Sequence, residues 1–285
     1  MLVGVIGLGI MGQSIGAHLL KSGYELIVYN RTKSKATQLV RSGAIWVDTP
    51  KKVAEQADIV FTIVGYPSDV EQVYFGKEGL FNGYHERSLF IDMTTSSPTL
   101  AKKINKKARG LGIDSLDAPV TGGDLGAKEG TLSVLVGGNE ESYARALPLF
   151  KTFGQNIHLF GSAGNGQHAK MMNQIMIAGT MLGLSEMLAY ADGVNIEWSE
   201  IIGTIDSGAA ANRSLDLYLP RMIKEDYTPG FFVKHFIKDL KIALDEAERM
   251  NINLPMTKLA YDLYQKLADL GNADDGTQAI IKLWK

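Results

Sequence analysis

The chain contains no cysteine, which excludes disulfides, thiol nucleophiles and cysteine-ligated metals together. Its five histidines (His18, His85, His158, His168 and His235) are scattered, with no HxH or HExxH pair, so no zinc site is expected. Neither sign of charge is in excess: 29 basic residues face 31 acidic ones, for a net charge of -2. A nucleic-acid partner or an anionic membrane surface would call for a basic surplus that is not there. Long apolar runs are missing too. The most apolar stretch, Met171 to Ala191, is interrupted by Asn173, Gln174, Thr180, Ser185 and Glu186, which suits a buried helix better than a membrane span. The first residues carry no basic leader and no small-residue cleavage site, so a cytoplasmic protein is expected. No internal repeat and no low-complexity tract is visible.

What remains is an ordinary globular composition over 285 residues, a length that favours two domains. In the first half, short β-branched runs recur at Leu2–Gly7, Leu26–Tyr29, Ile59–Val64 and Leu89–Met93. Amphipathic segments lie between them, at Met11–Lys21, Lys33–Arg41 and Ser68–Tyr74. This alternation implies βαβ crossovers and a parallel sheet covered on both faces. The runs Thr131–Val136 and Ile157–Phe160 are expected to extend that sheet. A breaker cluster, Gly161-Ser-Ala-Gly-Asn-Gly, then changes the pattern to helical. Helices are expected from Gln167 to about Asp192 and over Ser199–Asp206, Arg213–Lys224, Phe232–Met250, Pro255–Leu270 and Thr277–Leu283. The expected architecture is an α/β Rossmann-fold domain over 1–162 and an all-α domain over 163–285. One long interdomain helix would join them.

Gly7-Leu8-Gly9-Ile10-Met11-Gly12 follows a strand-like run and opens a helix-like one, the context in which GxGxxG binds a dinucleotide. The helix N-terminus then offers unpaired N–H groups to a pyrophosphate. At the end of the second strand an NAD site usually places a carboxylate for the ribose 2′-hydroxyl. Here Asn30 stands in that place, followed by Arg31 and Thr32, which favours the 2′-phosphate of NADP over NAD. The missing carboxylate also counts against a methyltransferase.

Three further segments carry candidate chemistry. Asp117-Ala-Pro-Val-Thr-Gly-Gly123 reads as a glycine-rich loop whose N–H groups, with the Thr121 hydroxyl, converge on an anion. On the long helix, Lys170, Asn173 and Gln174 share one face, continued by Ile177 and Met181. A lysine there is either a snorkelling surface residue or a desolvated amine able to trade protons near neutrality. In Phe231-Phe-Val-Lys-His-Phe-Ile-Lys238-Asp239-Leu-Lys241, Phe232, His235 and Asp239 lie on one face. Lys234, Lys238 and Lys241 read as a solvated basic stripe.

Taken together and in this order, the four motifs resemble those of the β-hydroxyacid dehydrogenase family. That family includes 3-hydroxyisobutyrate dehydrogenase, tartronate semialdehyde reductase and glyoxylate/succinic semialdehyde reductase. The resemblance implies that Gly7, Leu8, Gly9, Ile10, Met11 and Gly12 hold the pyrophosphate, with Asn30, Arg31 and Thr32 at the adenosine ribose. It places Gly65, Tyr66, Pro67 and Thr95 along the cofactor, with Lys238 closing on it. Thr121, Gly122 and Gly123 would hold a substrate carboxylate, with Asn173, Gln174 and Asp239 contacting the substrate. Lys170 would be the catalytic acid/base. Two positions depart from the family pattern: Thr121 replaces the usual serine, and Gln174 replaces the asparagine four residues after the lysine.

The expected function is hydride transfer between NADP and a small carboxylate-bearing hydroxy acid or semialdehyde, by a homodimer or homotetramer. Tyr-xxx-Lys chemistry has one match, Tyr29 and Lys33, at the ribose end of the cofactor, and is rejected. Two other readings share the architecture. An imine reductase commonly carries another residue at the Lys170 position, and a non-catalytic dinucleotide-binding protein would not need that lysine.

Overall fold

The computed structural model describes residues 1–205 and 208–285, and the chain divides into two compact units, Met1–Lys170 and Met171–Lys285. The first unit is built on β1 (Leu2–Ile6), β2 (Glu25–Tyr29), β3 (Ile45–Trp46), β4 (Ile59–Thr62), β5 (Leu89–Asp92) and β6 (Asp114–Asp117). All pair in parallel, in the order β3-β2-β1-β4-β5-β6. Helices α1 (Ile10–Lys21), α2 (Thr37–Arg41), α3 (Pro50–Ala54), α4 (Pro67–Phe75) and α5 (Pro98–Gly110) make the crossovers. Side-chain alternation explains why both faces are covered. Val3, Val5, Ile59, Phe61, Leu89 and Ile91 enter one apolar cluster, while Ile6, Val60 and Phe90 enter the other. This is the doubly wound nucleotide-binding order, whose switch point lies between β1 and β4. Lys33–Arg41, expected as one helix, is a 3-10 turn at Lys33–Ala36 followed by α2.

The expectation that Thr131–Val136 and Ile157–Phe160 extend this sheet is corrected by the structure. They form β8 (Leu132–Val136) and β9 (Gly154–Leu159) of a separate three-stranded sheet, together with β7 (Val120–Thr121). Pro119 follows β6 closely and has no N–H to donate, so the ladder cannot continue. After a single antiparallel bridge between Asp117 and Gly137, the chain turns and β7 pairs antiparallel with β8. Helices α6 (Gly123–Glu129) and α7 (Glu140–Phe150) complete the unit. The segment read as a loop is therefore partly strand: Asp117 ends β6 and Thr121 lies in β7.

Helix α8 (Asn165–Val194) carries the chain from the first unit into the second, a run of 30 residues or about 45 Å. The second unit adds α9 (Trp198–Ile205), α10 (Arg213–Ile223), α11 (Val233–Arg249) and α12 (Pro255–Leu267), with a 3-10 segment at Thr277–Leu283. Of the expected helix Ser199–Asp206, Asp206 lies outside the described residues. The core takes Met181 and Leu188 from α8, Phe236 and Leu240 from α11 and Tyr264 from α12. Phe236 and Tyr264 meet edge to face at 4.9 Å.

Candidate active site

The glycine loop lies where β1 ends, at the switch point. Its three glycines do different work. A Cβ on Gly7 would stand 2.1 Å from the Ile63 carbonyl oxygen, and one on Gly12 would stand 1.9 Å from that of Gly7. Gly7 also has φ +91, which other residues rarely adopt. These two glycines are demanded by the fold. Gly9, at the N-cap of α1, has nothing within 4 Å of the place a Cβ would take. Open space over the first turn of a helix with no side-chain cap is the cradle a pyrophosphate needs, so these residues fit a dinucleotide. Leu8 is fully buried, so its backbone alone can face a ligand, whereas Ile10 is exposed and Met11 half-buried.

Asn30 closes the loop against β2. Its Oδ1 accepts the Leu8 N–H at 2.9 Å, and its Nδ2 donates to the Thr32 carbonyl at 2.8 Å. A carboxylate could make the first bond but not the second. Arg31 extends into solvent and pairs with Asp69 at 3.2 Å. Thr32 is exposed beside it, Tyr66 caps α4, and Pro67 is its first residue. Gly65 is half-buried just ahead of them.

A second group of residues converges where α8 begins. Gln167 is fully buried, accepts the Ser96 N–H at 3.0 Å and donates to the Thr94 carbonyl at 2.7 Å. Its own N–H donates to Asp117 Oδ2 at 2.8 Å, while the Gly164 N–H donates to Asp117 Oδ1 at 2.7 Å. Asp117 thus does for α8 what an N-cap residue does, from the end of a strand. Burial pushes its carboxyl above the usual range, opposed by the N–H groups of Gly164, Gln167 and Gly166. Thr94 Oγ1 accepts the Val64 N–H at 3.0 Å, which ties the end of β4 to the same assembly. Thr95 stands half-buried between the two residues that Gln167 grips. Lys170 follows Gln167 by one helical turn and is buried. From the other side of Asp117, the chain leads through β7 to half-buried Thr121 and to the exposed Gly122 and Gly123, with φ +127 and +68.

In the second unit, Asn173 Nδ2 donates to Gln174 Oε1 at 2.7 Å, and Gln174 Nε2 donates to Asp239 Oδ2 at 2.6 Å. Lys238 Nζ lies 2.9 Å from Asp239 Oδ1, a contact of charge rather than an aligned hydrogen bond. Gln174 and Asp239 are both buried. Lys238 is also largely covered, with 12% of its side chain exposed, and so does not belong to the solvated stripe expected from sequence. Lys234 and Lys241 do, pairing with Asp274 and Asp245. Beside them, burial and then the Lys238 charge hold the His235 imidazole below its ordinary pKa.

The structure therefore groups the expected residues into three sets. The glycine loop gathers with Asn30 and Arg31, Thr95 and Lys170 with the start of α8, and Asn173, Gln174, Asp239 and Lys238 on α8 and α11. Reading the sequence missed the side-chain roles of Asp117 and Gln167. The visible signals were an aspartate ending an apolar run ahead of Pro119 and a glutamine one turn before the lysine. No cluster of three or more metal-ligating side chains occurs among the described residues.

Residues 2–161 match the family described as the NAD binding domain of 6-phosphogluconate dehydrogenase. Residues 164–284 match the one described as NAD-binding of NADP-dependent 3-hydroxyisobutyrate dehydrogenase. The chain belongs to the β-hydroxyacid dehydrogenase family. Like other β-hydroxyacid dehydrogenases, it is an NAD(P)-dependent oxidoreductase. A 3-hydroxyisobutyrate dehydrogenase-like protein of Arabidopsis thaliana is 49% identical, over 98% of this chain and 84% of the relative. The 2-hydroxy-3-oxopropionate reductase of Escherichia coli is 36% identical, over 99% and 96%. The 3-hydroxyisobutyrate dehydrogenase of Mycobacterium tuberculosis, solved with L-serine, superposes with a TM-score of 0.92 at 26% identity, covering 100% of this chain and 99% of that one.

Proposed function

We propose that this β-hydroxyacid dehydrogenase interconverts a small carboxylate-bearing semialdehyde or keto acid and its hydroxy acid, using NADP(H), with Lys170 as the acid/base. The observation that carries the reading is the covered lysine one turn beyond the anchored start of α8. The relatives named for 2-hydroxy-3-oxopropionate and 3-hydroxyisobutyrate, both small hydroxy-acid chemistries, support the substrate class. The C-terminal family description and Asn30-Arg31-Thr32 support NADP over NAD.

When bound, the nicotinamide supplies the hydride. The N–H groups around Gly9 hold the pyrophosphate, and Arg31 meets the 2′-phosphate. The Thr121 hydroxyl and the backbone of Gly122 and Gly123 fix the substrate carboxylate, which orients its carbonyl for attack. In reduction the Lys170 ammonium gives its proton to the oxygen that becomes an alkoxide. In oxidation the neutral amine takes that proton back. Asn173 and Gln174, held by Asp239, lie on the helix face that continues from Lys170 and contact the substrate oxygens.

A cytoplasmic location is part of the proposal; no helix among the described residues is long and apolar enough to cross a membrane. A homodimer or homotetramer is supported by exposed Met172, Met176, Tyr190 and Val194, which recur on one side of α8.

Initial rates with NADPH and NADH across small semialdehydes and keto acids, each compared with its methyl ester, test the reading. It expects turnover of free acids with NADPH preferred. Esters turned over as fast as acids would remove the carboxylate anchor, and no turnover at all would return the protein to a binding role.

A further inference from the structure

The pair at the mouth of the cofactor site is asymmetric. Arg31 leaves 83% of its side chain exposed and pairs with Asp69 through Nη1 to Oδ1 at 3.2 Å. Asp69 is 25% exposed and is fixed from behind. As the third residue of α4, its Oδ2 accepts the Tyr66 N–H at 3.2 Å and closes the capping box of that helix. One partner is an exposed cation and the other an anchored anion.

We infer that Asp69 is a selectivity residue for the cofactor: its carboxylate holds Arg31 until a 2′-phosphate takes the guanidinium over, and then stays beside that phosphate as an opposing charge. This rests on the reading of Arg31 as the group that meets the 2′-phosphate. Two effects act against NADPH and not against NADH. Arg31 must leave an ion pair, and the anchored carboxylate then repels a group of like sign. A ribose 2′-hydroxyl meets neither effect, because it is neutral and can donate to a carboxylate. The enzyme's preference for NADPH is accordingly smaller than Arg31 alone would give it.

The test is the ratio of Kd for NADH to Kd for NADPH, read by fluorescence titration without substrate, in wild type, Asp69→Asn, Arg31→Ala and the double variant, at low and at high salt. Asparagine keeps an oxygen for the Tyr66 N–H, so the α4 cap survives, and a thermal melt beside wild type checks that it does. Asp69→Asn is expected to raise the ratio about threefold to tenfold at low salt, with the gain shrinking at high salt as exposed charges are screened. In the Arg31→Ala background the same change should yield less, since no ion pair remains to be broken. A ratio that stays level or falls in Asp69→Asn, while Arg31→Ala loses its NADPH preference, overturns the role of Asp69 and leaves that of Arg31 standing. An Arg31→Ala ratio equal to wild type overturns both.

Discussion

Replacing Gln167 by methionine isolates the polar part of the anchor at the start of α8, because the two side chains are close in length and volume. Gln167 makes two neutral side-chain bonds, to the Ser96 N–H at 3.0 Å and the Thr94 carbonyl at 2.7 Å, in a place closed to water. Methionine returns neither, so a buried donor and a buried acceptor lose their partner. Each such loss costs about 1–3 kcal/mol, giving a total of roughly 2–6 kcal/mol. Any net stability above about 6 kcal/mol, within the usual range of about 5–15 kcal/mol, leaves the protein folded. At about 2–4 °C per kcal/mol for a chain of this size, the melting temperature should fall by roughly 4–24 °C. Thermal unfolding followed by circular dichroism reads this directly. The same variant should lower kcat/KM by about tenfold to a hundredfold, because Lys170, the proposed acid/base, lies one turn on and small displacements of such a group are costly. A Gln167→Met protein that melts within about 1 °C of wild type would refute the reasoning, since the two bonds would then carry nothing.

Gly9→Ala and Gly12→Ala should part company. The methyl at Gly12 runs into the Gly7 carbonyl and should unfold or strongly destabilise the first unit. At Gly9 it meets open space, so the melt should change little while the KM for NADPH rises about tenfold or more. Similar losses of fold in both would contradict the division of roles among the glycines. His235 has a folded-state pKa below its ordinary 6.5, so the unfolded chain binds the proton more readily. Stability should therefore fall as pH drops below about 6.5. His235→Gln should flatten that decline by well under the about 1.4 kcal/mol per pH unit that one proton allows, because the ring is half exposed. Parallel Tm-against-pH curves for the two proteins would show that His235 contributes none of it.

Some features of the fold and site are written locally in the chain and others are not. The glycine spacing after a β-branched run, and the strand–helix alternation behind it, are short-range patterns, so the nucleotide-binding sheet can be read at once. The second sheet is different. β8 and β9 look like any other apolar runs, and only Pro119 hints that the ladder stops before them. Lys170, Asn173 and Gln174 share a face by helical arithmetic alone. The partners that fix such residues lie far off: Asp117 meets Gln167 across 50 positions, Gln174 meets Asp239 across 65, and Arg31 meets Asp69 across 38. Burial of Lys238 is likewise set by the packing of its surroundings, which a charge pattern on one helix does not record.

Lys170 carries the proposed proton transfer. Single-turnover rates of NADPH oxidation by a small semialdehyde acid, measured for wild type and Lys170→Ala beside a fluorescence titration of NADPH binding, test it most directly. The rate in Lys170→Ala is expected to fall about a hundredfold to ten-thousandfold with NADPH still bound. A variant that turns over near the wild-type rate would contradict it.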